Sequence, residues 1–443
     1  MTAHGPHRGP ERKTTMGSID VLVKDVRIIT CDADDTVIER GYLAVREGRI
    51  DAFGPMDGTV PAHASEVLDG TGLSVLPGLV NSHMHFHYRR LGGPVGPNIL
   101  GPVALDALKS TRTAFNLLRE GVTSVRDVGH NDDSRLHVRD AIRDGVIVGP
   151  RATVSGAAIG MSYGHAYFVA ESVASLDGLV ETIRRQAHEG ADLIKIIASN
   201  EDLPNPPGDE LTVPWFSAKA VQVAVETAHE CGLPIAAHAN GARALERCIE
   251  AGVDTIEHGI HLSADHASAM AERGIALVPT LSGFFENSRE FWGRSWQPRY
   301  AALWNVHRET IGNAVDAGVL IGTGTDTLGT VAQEAWLLHK YGGASRAAAL
   351  AAATRNGARI ARQGADVGTI AAGNRADLVL VEGAPDRDLL DLGRARHTFL
   401  AGRRFTREEL AKLIPAHRFF VDELDGPEAL PRSAGVAAQG PCG

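Results

Sequence analysis

Cysteine is nearly missing from this 443-residue chain: Cys31, Cys231, Cys248 and Cys442 are all there is, and no two form a CxxC pair. That excludes a disulfide framework and a thiolate zinc site, and a reducing cytoplasm is the expected compartment. Positive charge is outweighed, with 44 Lys and Arg against 54 Asp and Glu and a formal net charge of −10. Nucleic acid and anionic membranes are therefore not expected partners. No apolar run is long enough to span a membrane. The polar first stretch has no apolar core of a secretory signal; residues 1–17 read as a flexible leader, with Met16 a second candidate start. Aromatic residues make up only 5%, but 44% hydrophobic and 22% charged residues are ordinary for a globular protein and exclude a mainly disordered chain.

What the chain does have is histidine, 19 of them, set in a regular alternation. Apolar strand-like runs at 76–80, 124–128, 152–154, 193–197, 235–237, 255–256, 276–278 and 319–321 are separated mostly by Ala-rich amphipathic stretches, several of which stop at a glycine. This predicts an α/β fold, a (β/α)8 TIM barrel over residues 76–363. A doubly wound sheet is the alternative, but Gly322-Thr-Gly-Thr-Asp-Thr327 does not complete a dinucleotide fingerprint. Short β-branched runs occur near both ends, such as Ile19-Asp-Val-Leu-Val and Ala376-Asp-Leu-Val-Leu-Val. Residues 18–75 and 364–425 are expected to form one composite β-sandwich, followed by a flexible Pro/Gly/Ala-rich tail over 426–443.

The chemistry sits at the ends of the predicted strands. In Asn81-Ser-His-Met-His-Phe-His, His83 and His85 share one face of a strand, as alternate residues must, and two imidazoles at a barrel rim suit one metal ion. His238, in Ala236-Ala-His-Ala, and His258, in Ile256-Glu-His-Gly, end successive strands on the same rim; a lone histidine there is more often structural, but together with the HxH they point to metal ligation. Lys195 lies in Leu193-Ile-Lys-Ile-Ile, where an unpaired ammonium is costly. It either pairs with an acid such as Asp192 or reacts with CO2 to give a carbamate able to bridge metals. Asp326, after the eighth strand, is placed either to touch a metal and its water or to cap the next helix.

As a set in this order, these residues resemble the amidohydrolase superfamily over nearly the whole chain. Thr369-Ile-Ala-Ala-Gly-Asn-Arg-Ala-Asp-Leu-Val-Leu looks like that family's return into its β-sandwich. The phrases Gly121-Val-Thr-Ser-Val-Arg-Asp, Gly190-Ala-Asp-Leu-Ile-Lys-Ile and Ala237-His-Ala are similar to the branch holding prolidase-like Xaa-amino-acid dipeptidases, ochratoxin-type amide hydrolases and phenylurea and thiocarbamate hydrolases. The resemblance implies two divalent ions, zinc foremost and manganese or cobalt compatible. His83, His85 and Asp326 would hold one, His238 and His258 the other, and Lys195, carboxylated by CO2, would bridge them.

Such a site would cleave an amide-type C–N bond of a small molecule (peptide, N-acyl amino acid, aryl amide, urea or carbamate) by attack of a metal-bridging hydroxide, with Asp326 as general base and then acid. His165, in Met161-Ser-Tyr-Gly-His, is an oxyanion donor or else a loop histidine without a role; Tyr163 is a second donor candidate. Specificity is expected from the rim loops. The aromatic-rich stretch 284–300, with Phe284, Phe285 and Trp292, would be a wall over the substrate or an oligomer contact, and a homo-oligomer is expected. Trp215 would line the same pocket, and Arg89 would meet a substrate carboxylate. A deaminase or cyclic-amide hydrolase is the competing reading, but a deaminase of this type carries a Glu three residues beyond the fifth-strand histidine, where this chain has Gly241. A non-enzymatic scaffold would have lost ligands, and none of the six positions has.

Overall fold

The computed structural model describes residues 19–87, 102–130, 134–162, 164–166, 170–201, 212–291 and 297–413. The expected leader and tail, Arg89, Tyr163 and Trp292 lie outside the described residues.

Both ends of the described chain build one eight-stranded sheet. Its order is Arg403–Thr406, Ala395–Leu400, Leu378–Glu382, Leu73–Pro77, Ile19–Ile29, Val37–Arg46 and Arg49–Pro55, with Ala64–Asp69 pairing Ile19–Ile29 off this path. The ends meet where Leu73–Pro77 runs antiparallel to Leu378–Glu382, Leu378 opposite Pro77 and Glu382 opposite Leu73. Val23, Val26, Ile28, Leu43, Val45, Leu378, Leu380 and Phe399 pack on one another in a buried core. β-Branched and aromatic side chains suit such a pleated, half-buried surface.

From this sheet the chain passes through Gly78 straight into Leu79–Met84. A Cβ on Gly78 would lie 2.1 Å from Thr123 Oγ1, so only glycine allows the two strands to meet there. Leu79–Met84 pairs in parallel with Val122–Asp127, which pairs with Arg151–Val154. A second parallel set joins Ala158–Gly160, Ile194–Ile197, Ile235–Ala239, Thr255–His258 and Ala276–Val278. Isolated parallel bridges connect Ser155 with Leu193, Leu277 with Ile321, and Met84 with Asp326. The eighth run, 319–321, forms only a bridge at Ile321 rather than a ladder. Just beyond it the backbone packs closely against both neighbouring strands: a Cβ on Gly324 would sit 2.5 Å from Val278 Cγ1 and 2.7 Å from His83 Cβ.

Helices cover these strands, among them Val103–Arg119, Leu176–His188, Ala218–Glu230, Ala242–Ala251, Ala264–Arg273, Gln297–Asp316 and Val331–Gly342. Ser175, Ser217, Ser263 and Thr330 cap four of them by accepting a backbone N–H. Ala242–Ala251 buries Ala244, Leu245, Cys248 and Ile249 on one face. Burying a Leu or Ile side chain contributes roughly 1.5–3 kcal/mol, which holds each helix to its strand. None of the described helices is long and apolar enough to cross a membrane.

Candidate active site

The strands buried between these helices carry four charged or polar groups that an apolar interior rejects unless paired. Arg126, Lys195, His83 and Glu257 are 3%, 4%, 1% and 0% exposed. Glu257 joins three of the strands. Its Oε2 accepts from His83 Nδ1 at 2.6 Å, and its Oε1 accepts from Arg126 Nη2 at 2.6 Å and from Thr255 Oγ1 at 2.6 Å. Burial would raise the Glu257 carboxyl, but the Arg126 charge and the His83 hydrogen bond hold it well below the usual carboxylate range.

Each of the four histidines expected as metal ligands is tied at one ring nitrogen, which sets the direction of the other. His83 donates from Nδ1 to Glu257, and His85 donates from Nδ1 to Gly129 O at 2.7 Å. His258 Nδ1 lies 2.6 Å from Thr280 Oγ1; that hydroxyl gives its own proton to Pro279 O, so the imidazole is the donor. His238 has the opposite orientation, with Nε2 2.8 Å from Glu201 Oε2. The second nitrogens of His83 and His85 face Asp326 Oδ1, at 3.8 and 3.4 Å. Ring centroids lie 4.9 Å apart for His83 and His258, and 4.5 Å for His238 and His258.

Ligand-capable atoms of His83, His258 and Asp326 lie within 4.8 Å of one another, and so do those of His165, Glu201 and His238. Lys195 makes no direct hydrogen bond or ion pair among the described residues, and burial pushes its ammonium down to about 8; Arg139, not Lys195, pairs with Asp192. Desolvation would raise the Asp326 carboxyl, but its hydrogen bond from His85 and the charge of His83 hold it well below its ordinary value. His258, Thr280 and Asp326 adopt positive φ of 70°, 54° and 52°, a strained backbone of the kind that collects at functional sites. The donor set therefore fits divalent metal: imidazoles directed by second partners, a carboxylate, and a buried lysine without a partner.

Above these groups opens a cleft of about 430 Å³. One wall is His165, Glu201, His238, Asn240, His258 and Asp326; the other is Gly283, Phe284, Asn287, Arg299, Tyr300 and Leu303. Phe284 stands edge-on to His258 at 5.4 Å. The Asn287 side-chain oxygen is buried without a hydrogen-bond partner. His165 stacks on His238 at 4.5 Å. Of the residues expected to meet substrate, Phe285 does not line the cleft; it packs edge-on against Trp304 at 5.3 Å, because successive residues of Leu281–Glu286 leave the helix in different directions. Trp215 does not line it either, and sits against Gly164, where a Cβ would come within 2.5 Å of its Nε1.

Sequence reasoning missed Glu201, Glu257, Arg126 and Thr280. Arg126 and Glu257 carried the same signal that exposed Lys195, a charge inside an apolar strand; Glu201 and Thr280 lie beyond strand ends, where polar residues are unremarkable.

Residues 74–408 match the family model described as the amidohydrolase family. The chain is 28% identical over 352 residues to ochratoxinase of Aspergillus niger, covering 71% of each chain. It is 31% identical over 307 residues to an uncharacterized protein of Mycobacterium tuberculosis, covering 67% of this chain and 73% of that one. Among solved structures, a Xaa-Pro dipeptidase with methionine bound in its active site superposes with a TM-score of 0.78 at 26% identity, over 87% of this chain and 99% of that one.

Proposed function

Since the chain belongs to the amidohydrolase family, we propose that it hydrolyses an amide-type C–N bond at a binuclear divalent-metal centre, with zinc the expected ion and manganese or cobalt compatible. The observation that carries this reading is the tying of His83, His85, His238 and His258 at one nitrogen each around Asp326 and the partnerless Lys195. His83, His85 and Asp326 would hold one ion, His238 and His258 the other, and Lys195 as a carbamate would join both. We also read the parallel strands as one closed (β/α)8 barrel with the two-ended sheet as its accessory domain; the Met84–Asp326 and Leu277–Ile321 bridges support this.

Bound divalent ions would supply a water ionised at neutral pH and a polarised scissile carbonyl. The protein's own groups do the rest. Asp326 takes the proton of the attacking water at its carboxylate, then delivers it to the leaving nitrogen. His165, which lines the same cleft, donates to the developing oxyanion. Phe284 and Leu303 exclude bulk water from the cleft. Arg299 lines the cleft and would give a substrate carboxylate a cationic partner, which favours dipeptides and N-acyl amino acids over uncharged ureas and carbamates.

The test is a hydrolysis panel of dipeptides, N-acyl amino acids, aryl amides, ureas and carbamates with the zinc-loaded protein, alongside metal analysis. Close to two ions per chain and turnover of carboxylate-bearing amides are expected. A reproducible single ion, or no C–N cleavage in a protein holding two, would overturn the reading.

A further inference from the structure

Glu201 belongs to no part of the mechanism above, yet it lines the cleft and is only 3% exposed. Its Oε2 is 2.8 Å from His238 Nε2 and 3.5 Å from His165 Nδ1. Its Oε1 accepts from Ser199 Oγ at 2.7 Å, and Ser199 Oγ in turn accepts from Asn240 N at 2.9 Å. Asn240 Oδ1 accepts from Ile260 N at 2.9 Å, beyond the next strand. Both carboxylate oxygens are thus spent on groups fixed by neighbouring strands, Ser199 just beyond Ile194–Ile197 and His238 within Ile235–Ala239, and the carboxylate cannot swing away without breaking that chain of bonds.

We propose that Glu201 is a positioning residue that fixes the orientation of His238 and His165 together, so that His238 meets the metal through Nδ1 while His165 is held over the cleft. This rests on the metal-centre reading above. The tautomer follows from the donor inventory. A carboxylate has no proton to give, so the hydrogen of His238 sits on Nε2 and the lone pair is left on Nδ1. The contact from Asn240 Nδ2 to the same nitrogen is longer, at 3.4 Å, and does not compete. His83, His85 and His258 are tied at Nδ1 instead. His238 is therefore the one ligand whose metal-binding nitrogen is reversed, and Glu201 is what reverses it. The stacking of His165 on His238, with ring planes 23° apart, passes the same constraint to the second imidazole.

The experiment is a zinc titration against a competing chelator, comparing wild type with Glu201→Ala, Glu201→Gln and Ser199→Ala. Circular dichroism and melting of the metal-free proteins serve as the check on folding. Loss of an orienting partner should weaken one of the two ions roughly 10–100-fold in Glu201→Ala. Glu201→Gln keeps a carbonyl oxygen able to accept from His238 Nε2, so it should retain both ions and lose kcat with little change in KM. Ser199→Ala frees one carboxylate oxygen and should weaken the same ion by a smaller factor, which keeps the test open if Glu201→Ala fails to fold. Wild-type affinity for both ions in Glu201→Ala would overturn the proposal. So would loss of the ion in Glu201→Gln as complete as in Glu201→Ala, since that would make Glu201 a direct ligand. Wild-type protein that holds no divalent ion would overturn the metal-centre reading itself, a separate result.

Discussion

Glu257 accepts from His83 Nδ1 at 2.6 Å through one oxygen and from Arg126 at 2.6 Å through the other, with none of the three more than 3% exposed. The pair has two consequences. It holds a candidate metal ligand in one orientation, and it stores a charge balance that cannot be broken from one side. Glu257→Leu leaves the Arg126 guanidinium buried and uncompensated, which should cost on the order of 3–5 kcal/mol in urea unfolding. Replacing both residues with apolar ones of similar volume should recover much of that loss while leaving zinc binding weakened. A single Glu257→Leu variant as stable as wild type would show that Arg126 finds another partner.

The sequence made the main donors legible because each combined a costly residue type with a strand end. His83, His85, His238, His258, Lys195 and Asp326 were all recognisable that way; of these, His238, His258 and Asp326 line the cleft, and His83 and His85 face Asp326. The alternation of strands and helices was legible from apolar runs with glycine stops; Gly252, for example, ends Ala242–Ala251 at φ 79°. What was not legible depends on direction rather than residue type. Phe284 and Phe285 are equivalent in a string of letters, but only the first faces the cleft, because the stretch 281–286 is helical and not an open loop. Glu201 looks like any acidic residue after a strand until His238 and Ser199 are seen on either side of it. Trp215 depends on Gly164, some fifty residues away in the chain, a contact no local pattern encodes.

A pH dependence follows from Glu334. Its carboxyl is fully buried and accepts from the backbone of Leu281 at 2.9 Å and Ser282 at 2.6 Å, at the start of the helix that carries Phe284. Burial outweighs these bonds and pushes it up from 4.5 to about 7. The folded state therefore binds the proton more tightly than the unfolded state. The stabilising contribution is fully present below pH 4.5 and is lost as pH rises to about 7. Relative to Glu334→Gln, wild-type stability should fall across that window by about 3 kcal/mol at most. Unfolding curves of both proteins at pH 4.5, 6 and 7.5 check this; a constant difference between them would show that Glu334 stays ionised throughout.

Arg299 tests substrate charge. The Arg299 guanidinium lines the cleft; charge-assisted hydrogen bonds from it to a substrate carboxylate would be worth about 1.5–3 kcal/mol, so under the proposed function Arg299→Ala should raise KM about 10–100-fold for an N-acyl amino acid. The matching carboxamide, without the charge, should be affected little. Arg299→Lys should restore only part of the loss, because a point charge cannot reproduce a two-pronged contact. Equal losses on both substrates would place Arg299 in the structure of the wall rather than in recognition.

Asp326 is asked to do two things, and one substitution separates them. Its Oδ1 faces His83 Nε2 and His85 Nε2 at 3.8 and 3.4 Å, while the side chain remains 25% exposed toward the cleft. The ligand role needs an oxygen, which asparagine keeps. The proton-transfer role needs an ionisable group, which asparagine lacks. Asp326→Asn should therefore keep most of its zinc while kcat falls by roughly 10²–10⁴. KM should change little, because the distal wall formed by Asn287, Arg299 and Leu303 is untouched. Metal analysis and steady-state kinetics on the same preparation decide between the roles. Retained zinc with unchanged kcat would remove Asp326 from proton transfer, and lost zinc would make it first of all a ligand.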